Sequence, residues 1–435
     1  MSAQDYSKSF PRLGYGGAEI INSKASFLGS GTLKWDKHLS LLGSAEPYFG
    51  SIHHLKRQLA ETEIYGRGGA AFPLSKKIEA YQRFSGNVVI VANGSESEFL
   101  SRKDAALLTR HPHLVLDGLT ILATSLGATA GYIHLKYGNS DLQAIVSAAL
   151  VERNGFDPIR IELSVSNPSV GYPSGVESAV ISAVDGSGGK PIYLPDRPIV
   201  KGIKRRPTLV SNVETLAQLA LLARFGAEWF SGIGSSSEFG SRLLTITNSV
   251  GTAAVVEVAS GINLSELLNA LSINLENNNS VLIGGYFGRL VHPMQLKDLT
   301  VSAPAFKDLG LGLGAGVIAV STCCPLMDTS RIIEYLASQS SGQCGPCFNG
   351  LPALAVLWNA LSRPSSSPDI VNEITRVSAL VMGRGGCAMP DGAVILSKSS
   401  LAYFKSEVIV HQQGGCSFPT ADSYLVPSGM HRGFR

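Results

Sequence analysis

Asn87-Val-Val-Ile-Val-Ala-Asn93-Gly-Ser-Glu96-Ser-Glu98 is the stretch that decides the architecture. Its first half is an unbroken apolar run, the pattern of a strand buried on both faces of a parallel sheet. The run ends in an acidic, glycine-containing loop at the strand's carboxyl end, where open α/β sheets bind their ligands. Upstream lies a glycine loop, Tyr65-Gly66-Arg67-Gly68-Gly69-Ala70-Ala71-Phe72-Pro73, with Lys76 and Lys77 just beyond. Downstream the pattern predicts a helix over 104–126, a strand over 131–136, a helix over 140–153, a strand over 160–165 and a helix over 174–184. That alternation predicts an α/β fold with a mostly parallel sheet.

The rhythm breaks at 185–209, where glycines and prolines accompany a basic run of Arg197, Lys201, Lys204, Arg205 and Arg206. Ser211-Asn212-Val213-Glu214-Thr215 then opens an apolar helix. Strand signals at 243–246 and 255–258, a helix at 264–271 and Ser280-Val-Leu-Ile-Gly-Gly describe a small β-grasp-like unit. Beyond Val320 the chain turns helical. Asp328 can cap a helix carrying Ile332, Tyr335 and Leu336, and Pro352 can start one carrying Leu354, Leu357, Trp358 and Leu361. Ile370, Ile374, Val377 and Val381 mark a third, with Gly383 at its C-cap, and 393–404 a fourth. We therefore expect a nucleotide-type α/β domain over 1–240, a β-grasp unit over 241–325, and a four-helix bundle with a tail over 326–435. Residues 1–60 carry little beyond an amphipathic helix near 53–62.

At 435 residues, 44% apolar and 16% charged, the chain has the composition of a multidomain globular protein. A net charge of +3 gives no footing for nucleic acid or an anionic membrane. No apolar span of membrane length is visible, and four of six cysteines crowd into 323–347, a poor disulfide framework. The expectation is a soluble, cytoplasmic protein.

Those cysteines carry the second strong signal, Ser341-Gly-Gln-Cys344-Gly-Pro-Cys347, with Cys387 forty residues on. They fall in the first and third connections of the predicted bundle, which can lie at one end. A Cys-x-x-Cys suits an iron–sulfur cluster, half a zinc site or free thiols, and the residues alone leave these open. His411 is the only downstream histidine near enough to tempt a zinc reading, whereas Cys323, Cys324 and Cys416 read as structural or incidental. In the glycine loop, backbone amides can approach phosphate where no Cβ intervenes, and a lysine can add charge.

Taken in order, Gly-Arg-Gly-Gly-Ala-x-Phe-Pro at 66–73, Asn-x-x-Glu-Ser-Glu at 93–98, Lys103-Asp104 and Pro112-His-Leu resemble the flavin- and NADH-binding subunit of respiratory complex I. So do Tyr172-x-x-Gly175-x-Glu177, Asn212-Val-Glu-Thr215 and the cysteine element. This NuoF, or 51 kDa, resemblance covers roughly residues 60–405. It implies an FMN domain, a β-grasp (SLBB) domain and a helical bundle bearing a [4Fe–4S] cluster. It implies FMN contacts at Gly66, Arg67, Gly68, Gly69, Lys77, Asn93, Glu96, Ser97, Tyr172, Gly175, Asn212 and Thr215. NAD(H) or NADP(H) would meet Phe72, Glu98 and Glu177, the last two catalytic. It further implies electron transfer to a thioredoxin-fold [2Fe–2S] protein or a ferredoxin-like one, within a complex reaching the inner membrane only peripherally.

The departures are specific. The family's first cluster cysteine is Ser341, so Cys344, Cys347 and Cys387 leave either a [4Fe–4S] cluster with one non-cysteine ligand or a [3Fe–4S] cluster. The family's Glu-Pro-Gly reads Glu98-Phe99-Leu100, its Gly-Glu-Glu reads Gly175-Val176-Glu177, and its adenine-stacking aromatic aligns to Arg197. Two other readings go with these departures: a paralogue kept for assembly, or a subunit exchanging electrons with a ferredoxin-like protein in place of NADH.

Overall fold

The computed structural model describes residues 32–84, 86–192, 198–419 and 423–427. Its first sheet has four parallel strands: β1 (Val89–Gly94), β2 (Ala130–Leu135), β3 (Arg160–Val165) and β4 (Thr208–Asn212), in the order β3-β2-β1-β4. β1 and β4 pair in register through Asn93 and Asn212, so their carboxyl ends, and the loops that follow, emerge side by side. That adjacency locates the site.

The helix expected over 104–126 is two helices, Lys103–Arg110 and Pro112–Ser125, broken at His111. Pro112 explains the break, since its ring fixes φ and removes the amide a continuous helix would need. All but one residue of Pro112–Ser125 is buried. It packs against Val213–Ser231, itself buried through most of its length. The two helices meet so closely at Gly118 that a Cβ there would overlap the Leu216 carbonyl. On the first of these helices, Asp117 is fully buried and receives Arg153 at 2.7 Å, His38 at 2.7 Å and Arg224. Burial alone would raise this carboxyl; Arg153 and the other two partners outweigh it and hold the group far below the usual range.

The second sheet runs Arg289–Val291, Ser280–Ile283, Val317–Ser321, Ser241–Thr247, Ala253–Ala259, with the Leu264–Ala270 helix packed on it. Val317–Ser321 lies parallel to Ser241–Thr247, while the Ser241–Thr247 and Ala253–Ala259 pair is antiparallel, a β-grasp arrangement. The C-terminal region contains Pro325–Ser338, Leu351–Leu361, Ile370–Val381 and Met389–Tyr403, followed by a fifth helix, Lys405–Gln412. The first of these begins at Pro325, earlier than Asp328, which is buried in its first turn. Among the described residues, no helix is long and apolar enough to cross a membrane.

The packing makes two outcomes measurable. Gly118→Ala should lower the thermal midpoint, with a cost of about 1–3 kcal/mol or more for forcing a methyl into a closed helix contact. An unchanged midpoint would show that the helices separate freely. The second concerns pH. Burial, aided by nearby cationic groups at the first two, pushes the pKa of His111 down to about 3 and of His113 to about 4, and burial does the same for His134, to about 4. An unfolded histidine titrates near 6.5, so between roughly pH 6.5 and 4 these three side chains bind more protons when unfolded, whereas buried Asp104, its pKa raised to about 7, does the opposite. The histidine contribution to stability should therefore fall as pH drops through that window, and His134→Gln should lessen that fall; a pH profile of urea midpoints parallel to wild type would refute it.

Candidate functional site

Three glycine-containing loops converge at the carboxyl end of β1. The 65–73 loop closes on itself through Gly66 N–H to the Phe72 carbonyl at 3.0 Å and a Tyr65–Pro73 bridge. Gly69, at φ +115°, pairs across to Gly314. Gly314 in turn lies so near Gly284 that no side chain fits between them. Together these loops wall a cleft of about 700 Å³.

The cleft is lined by Arg67, Gly68, Gly69, Asn93, Glu96, Ser97, Glu98, Tyr172, Gly175, Glu177 and Asn212 from the first region. Gly284 and Gly312 come from the β-grasp region, and Ala388, Asp391 and Gly392 from the bundle. Four expected contacts stand outside it. Gly66 is spent on loop closure, and Phe72 is 53% exposed. Thr215 is buried, its hydroxyl accepting the Arg67 amide at 2.9 Å. Lys77 donates to the Val210 carbonyl; burial lowers its pKa, with Glu177 opposing.

Several side chains that face the cleft are already bound by protein. The Glu96 carboxylate takes the Asp104 and Ala105 amides at 3.0 Å each and the Ser101 hydroxyl at 2.5 Å, capping the Lys103–Arg110 helix. Asn212 caps Val213–Ser231 through the Glu214 amide at 2.9 Å and donates to Asp104 at 2.6 Å. Asp104 also meets Lys103 at 2.6 Å; burial, resisted by Lys103 and aided by Glu96, raises its pKa to about 7. The Arg67 guanidinium points away from the cleft to Glu238 and the Ser241 carbonyl, so only the backbone of this residue is available there.

Glu98 is turned inward. Its carboxylate accepts Tyr172 Oη at 2.6 Å, the Tyr286 amide at 2.8 Å and the Leu100 amide at 3.3 Å. Burial raises its pKa and the three donors oppose the rise. Glu177, at the start of the Glu177–Val184 helix, is the carboxylate open to the cleft. Solvent reaches it through the opening while protein crowds its other sides; that desolvation raises its pKa against the pull of Lys77.

The candidate cluster cysteines lie where the first and third bundle connections meet. Cys344 and Cys347 follow the Pro325–Ser338 helix, a single π-helical turn over Pro346–Gly350 leads into the next, and Cys387 precedes Met389–Tyr403. Burial pushes the Cys347 thiol up to about 12, with Cys344 and Cys387 adding to the rise. Burial also raises Cys387, with Cys344 contributing. Ser341 is half-buried on the same loop.

Two features escaped the sequence reading. Glycine at 310, 312, 314 and 316 was a visible signal for a second ligand loop. Cys324, Glu407, His411 and Cys416, separated by up to 92 positions, converge with their donor atoms all within 4.8 Å of one another. Cys324 and Cys416 are therefore not incidental, and His411 joins them instead of Cys344 and Cys347. Spacing could not reveal this, because the group forms only when the fifth helix docks. The basic residues 204–206 lie toward the amino end of the strands, where Arg206 binds Asn87 and the Val88 carbonyl ahead of β1. They are thus remote from the cleft; Arg197 lies outside the described residues.

The cleft's fit to a flavin mononucleotide rests on shape and backbone. A Cβ at Gly175 would strike Ser97 Oγ at 2.6 Å, one at Gly68 would press on Asn212, and Gly312 opens onto empty space. Three cysteines and a serine on the two connections at this end of the bundle are a residue set that suits an iron–sulfur cluster. Profiles of the Nuo51 FMN-binding domain and of the NADH-ubiquinone oxidoreductase-F iron-sulfur binding region match residues 59–221 and 328–411. The chain is 28% identical over 375 residues to the second NADH-quinone oxidoreductase F subunit of Rhizobium meliloti (strain 1021), covering 82% of this chain and 89% of that one. It is 26% identical over 388 residues to the corresponding protein of Mycobacterium bovis, covering 85% and 87%. An NAD+-reducing [NiFe]-hydrogenase chain shares the fold at a TM-score of 0.73 and 22% identity, covering 84% of this chain but only 63% of that one. These features define a flavin and iron–sulfur protein built on an α/β sheet. Over most of its length the chain is similar to the NuoF (51 kDa) subunits of NADH-quinone oxidoreductases, and it matches both of their profiled regions.

Glu98→Ala should strand the Tyr172 hydroxyl and Tyr286 amide, costing about 1–3 kcal/mol for each buried donor left unpaired. Calorimetry against wild type would measure it, and an unchanged midpoint would mean that water replaces the carboxylate.

Proposed function

We propose that the chain is an electron-input subunit that oxidises a reduced nicotinamide dinucleotide at bound FMN and passes electrons singly through its iron–sulfur site to a partner protein. One observation carries the reading: Ala388, next to Cys387, lines the same cleft as Gly68, Asn93 and Glu177. Donor site and sulfur loop share one wall.

Gly68, Gly69, Asn93, Gly175 and Asn212 would hold FMN, with backbone amides and side-chain amides as the polar contacts. Cys344, Cys347 and Cys387 would hold the cluster, with Ser341 at the fourth corner. Bound FMN supplies the step between a two-electron donor and a one-electron carrier. Glu177 is the carboxylate placed to meet the dinucleotide and to hold or release a proton. Glu98 positions the loop from behind, since its acceptor sites are already taken. Electrons would leave to iron–sulfur partners in a multi-subunit complex, of thioredoxin-fold [2Fe–2S] or ferredoxin-like type.

Anaerobically purified protein should contain FMN and iron, and its flavin absorbance should bleach on adding NADH or NADPH. Flavin that bleaches with dithionite but with neither dinucleotide would overturn the reading and leave an assembly role. Ser341→Cys should raise iron per chain toward four and change the EPR signal. Unaltered iron and EPR would exclude position 341 as a ligand.

A further inference from the structure

We propose that Cys324, Glu407, His411 and Cys416 form a second metal site, a mononuclear zinc-type centre separate from the iron–sulfur site. Cys324 Sγ lies 3.4 Å from His411 Nε2 and 4.0 Å from Glu407 Oε1, and Nε2 lies 3.2 Å from that oxygen. Tetrahedral zinc with bonds of about 2.0–2.3 Å places neighbouring donors about 3.3–3.8 Å apart, close to these separations. Two thiolates, an imidazole and a carboxylate are a donor set that zinc accepts.

The surroundings prepare each donor. His411 Nδ1 sits 3.2 Å from the Leu361 carbonyl, which fixes the proton there and aims the Nε2 lone pair at the other donors. Nε2 thus faces a carboxylate oxygen and a sulfur, a gap that a proton on the ring or a metal ion between the three donors would fill. Glu407 Oε1 also accepts the Ser417 amide at 3.0 Å, so this carboxylate is oriented too. Cys324 stands at the N-cap position of the Pro325–Ser338 helix. Cys324, Glu407 and His411 are buried, whereas Cys416 is exposed and leaves a path for the ion to enter.

The site cannot be part of the iron–sulfur centre. Cys324 precedes the 14-residue Pro325–Ser338 helix and Cys344 follows it, so the two lie roughly 20 Å apart at a rise of 1.5 Å per residue. Glu407 and His411 stand one turn apart on Lys405–Gln412, and the ion would tie this last helix to the first helix of the bundle.

The test is metal content and Co2+ substitution in the full chain. Wild type should carry one zinc beyond its iron, and one equivalent of Co2+ should give tetrahedral d–d and thiolate-to-cobalt absorption that zinc abolishes. Cys416→Ala, an exposed change that leaves the helices intact, should weaken Co2+ binding by about 10-fold or more, as should His411→Gln. Cys344→Ala should retain these bands. Folded wild type that takes up neither metal, binding unaltered in Cys416→Ala, or bands that vanish with Cys344→Ala would each overturn the proposal.

Discussion

The structure turns on the buried carboxylate of Glu98. It accepts from Tyr172 in the first region and from the backbone of Tyr286 in the β-grasp region. Tyr286 in turn packs on Tyr335 of the bundle at 5.4 Å and on Tyr172 at 5.6 Å. One acceptor group and a stack of tyrosines thus join the three regions at the floor of the cleft. A buried carboxylate is costly unless its lone pairs are filled, and here donors from two regions fill them. The cleft keeps its shape only while those regions stay together.

Glycine supplies the complementary constraint. Gly285 lies against the Glu98 carboxylate, where any Cβ would collide, and Gly69, Gly284 and Gly314 bring two loops to backbone distance. Polar side chains around the cleft largely bind each other, as Glu96 binds a helix end and Asn212 binds Asp104. What remains for a ligand is mostly backbone, the Asn93 region and Glu177. A site of this kind is set by the scaffold and little by rotamer choice.

Much of the α/β region was legible because its signals are local. The apolar run of β1, the alternating elements and the paired loop motifs each occupy a short window, and the parallel sheet runs as the pattern implied. The bundle was readable from its 3.6-residue periodicity and its terminal caps. Less legible was whatever depended on docking. The inward turn of Glu98 and the diversion of the Arg67 guanidinium into an ion pair are set by residues up to 188 positions away. Cys324 and Cys416 carry no short motif, and only the fifth helix brings them together. The break at His111 was present in the sequence, as Pro112 within the polar run Thr109-Arg-His-Pro-His113, but two helices set end to end read as one.

The Pro112–Ser125 helix has a consequence for synthesis. Its cover, Val213–Ser231, emerges roughly a hundred residues later, which at ribosomal speed is a delay of about 5–20 seconds. For that interval a helix that the finished fold buries almost entirely has no place to bury its outer face. The nascent chain therefore carries an adhesive segment during its most vulnerable stage, and its yield in a cell depends on what shields that segment until translation catches up.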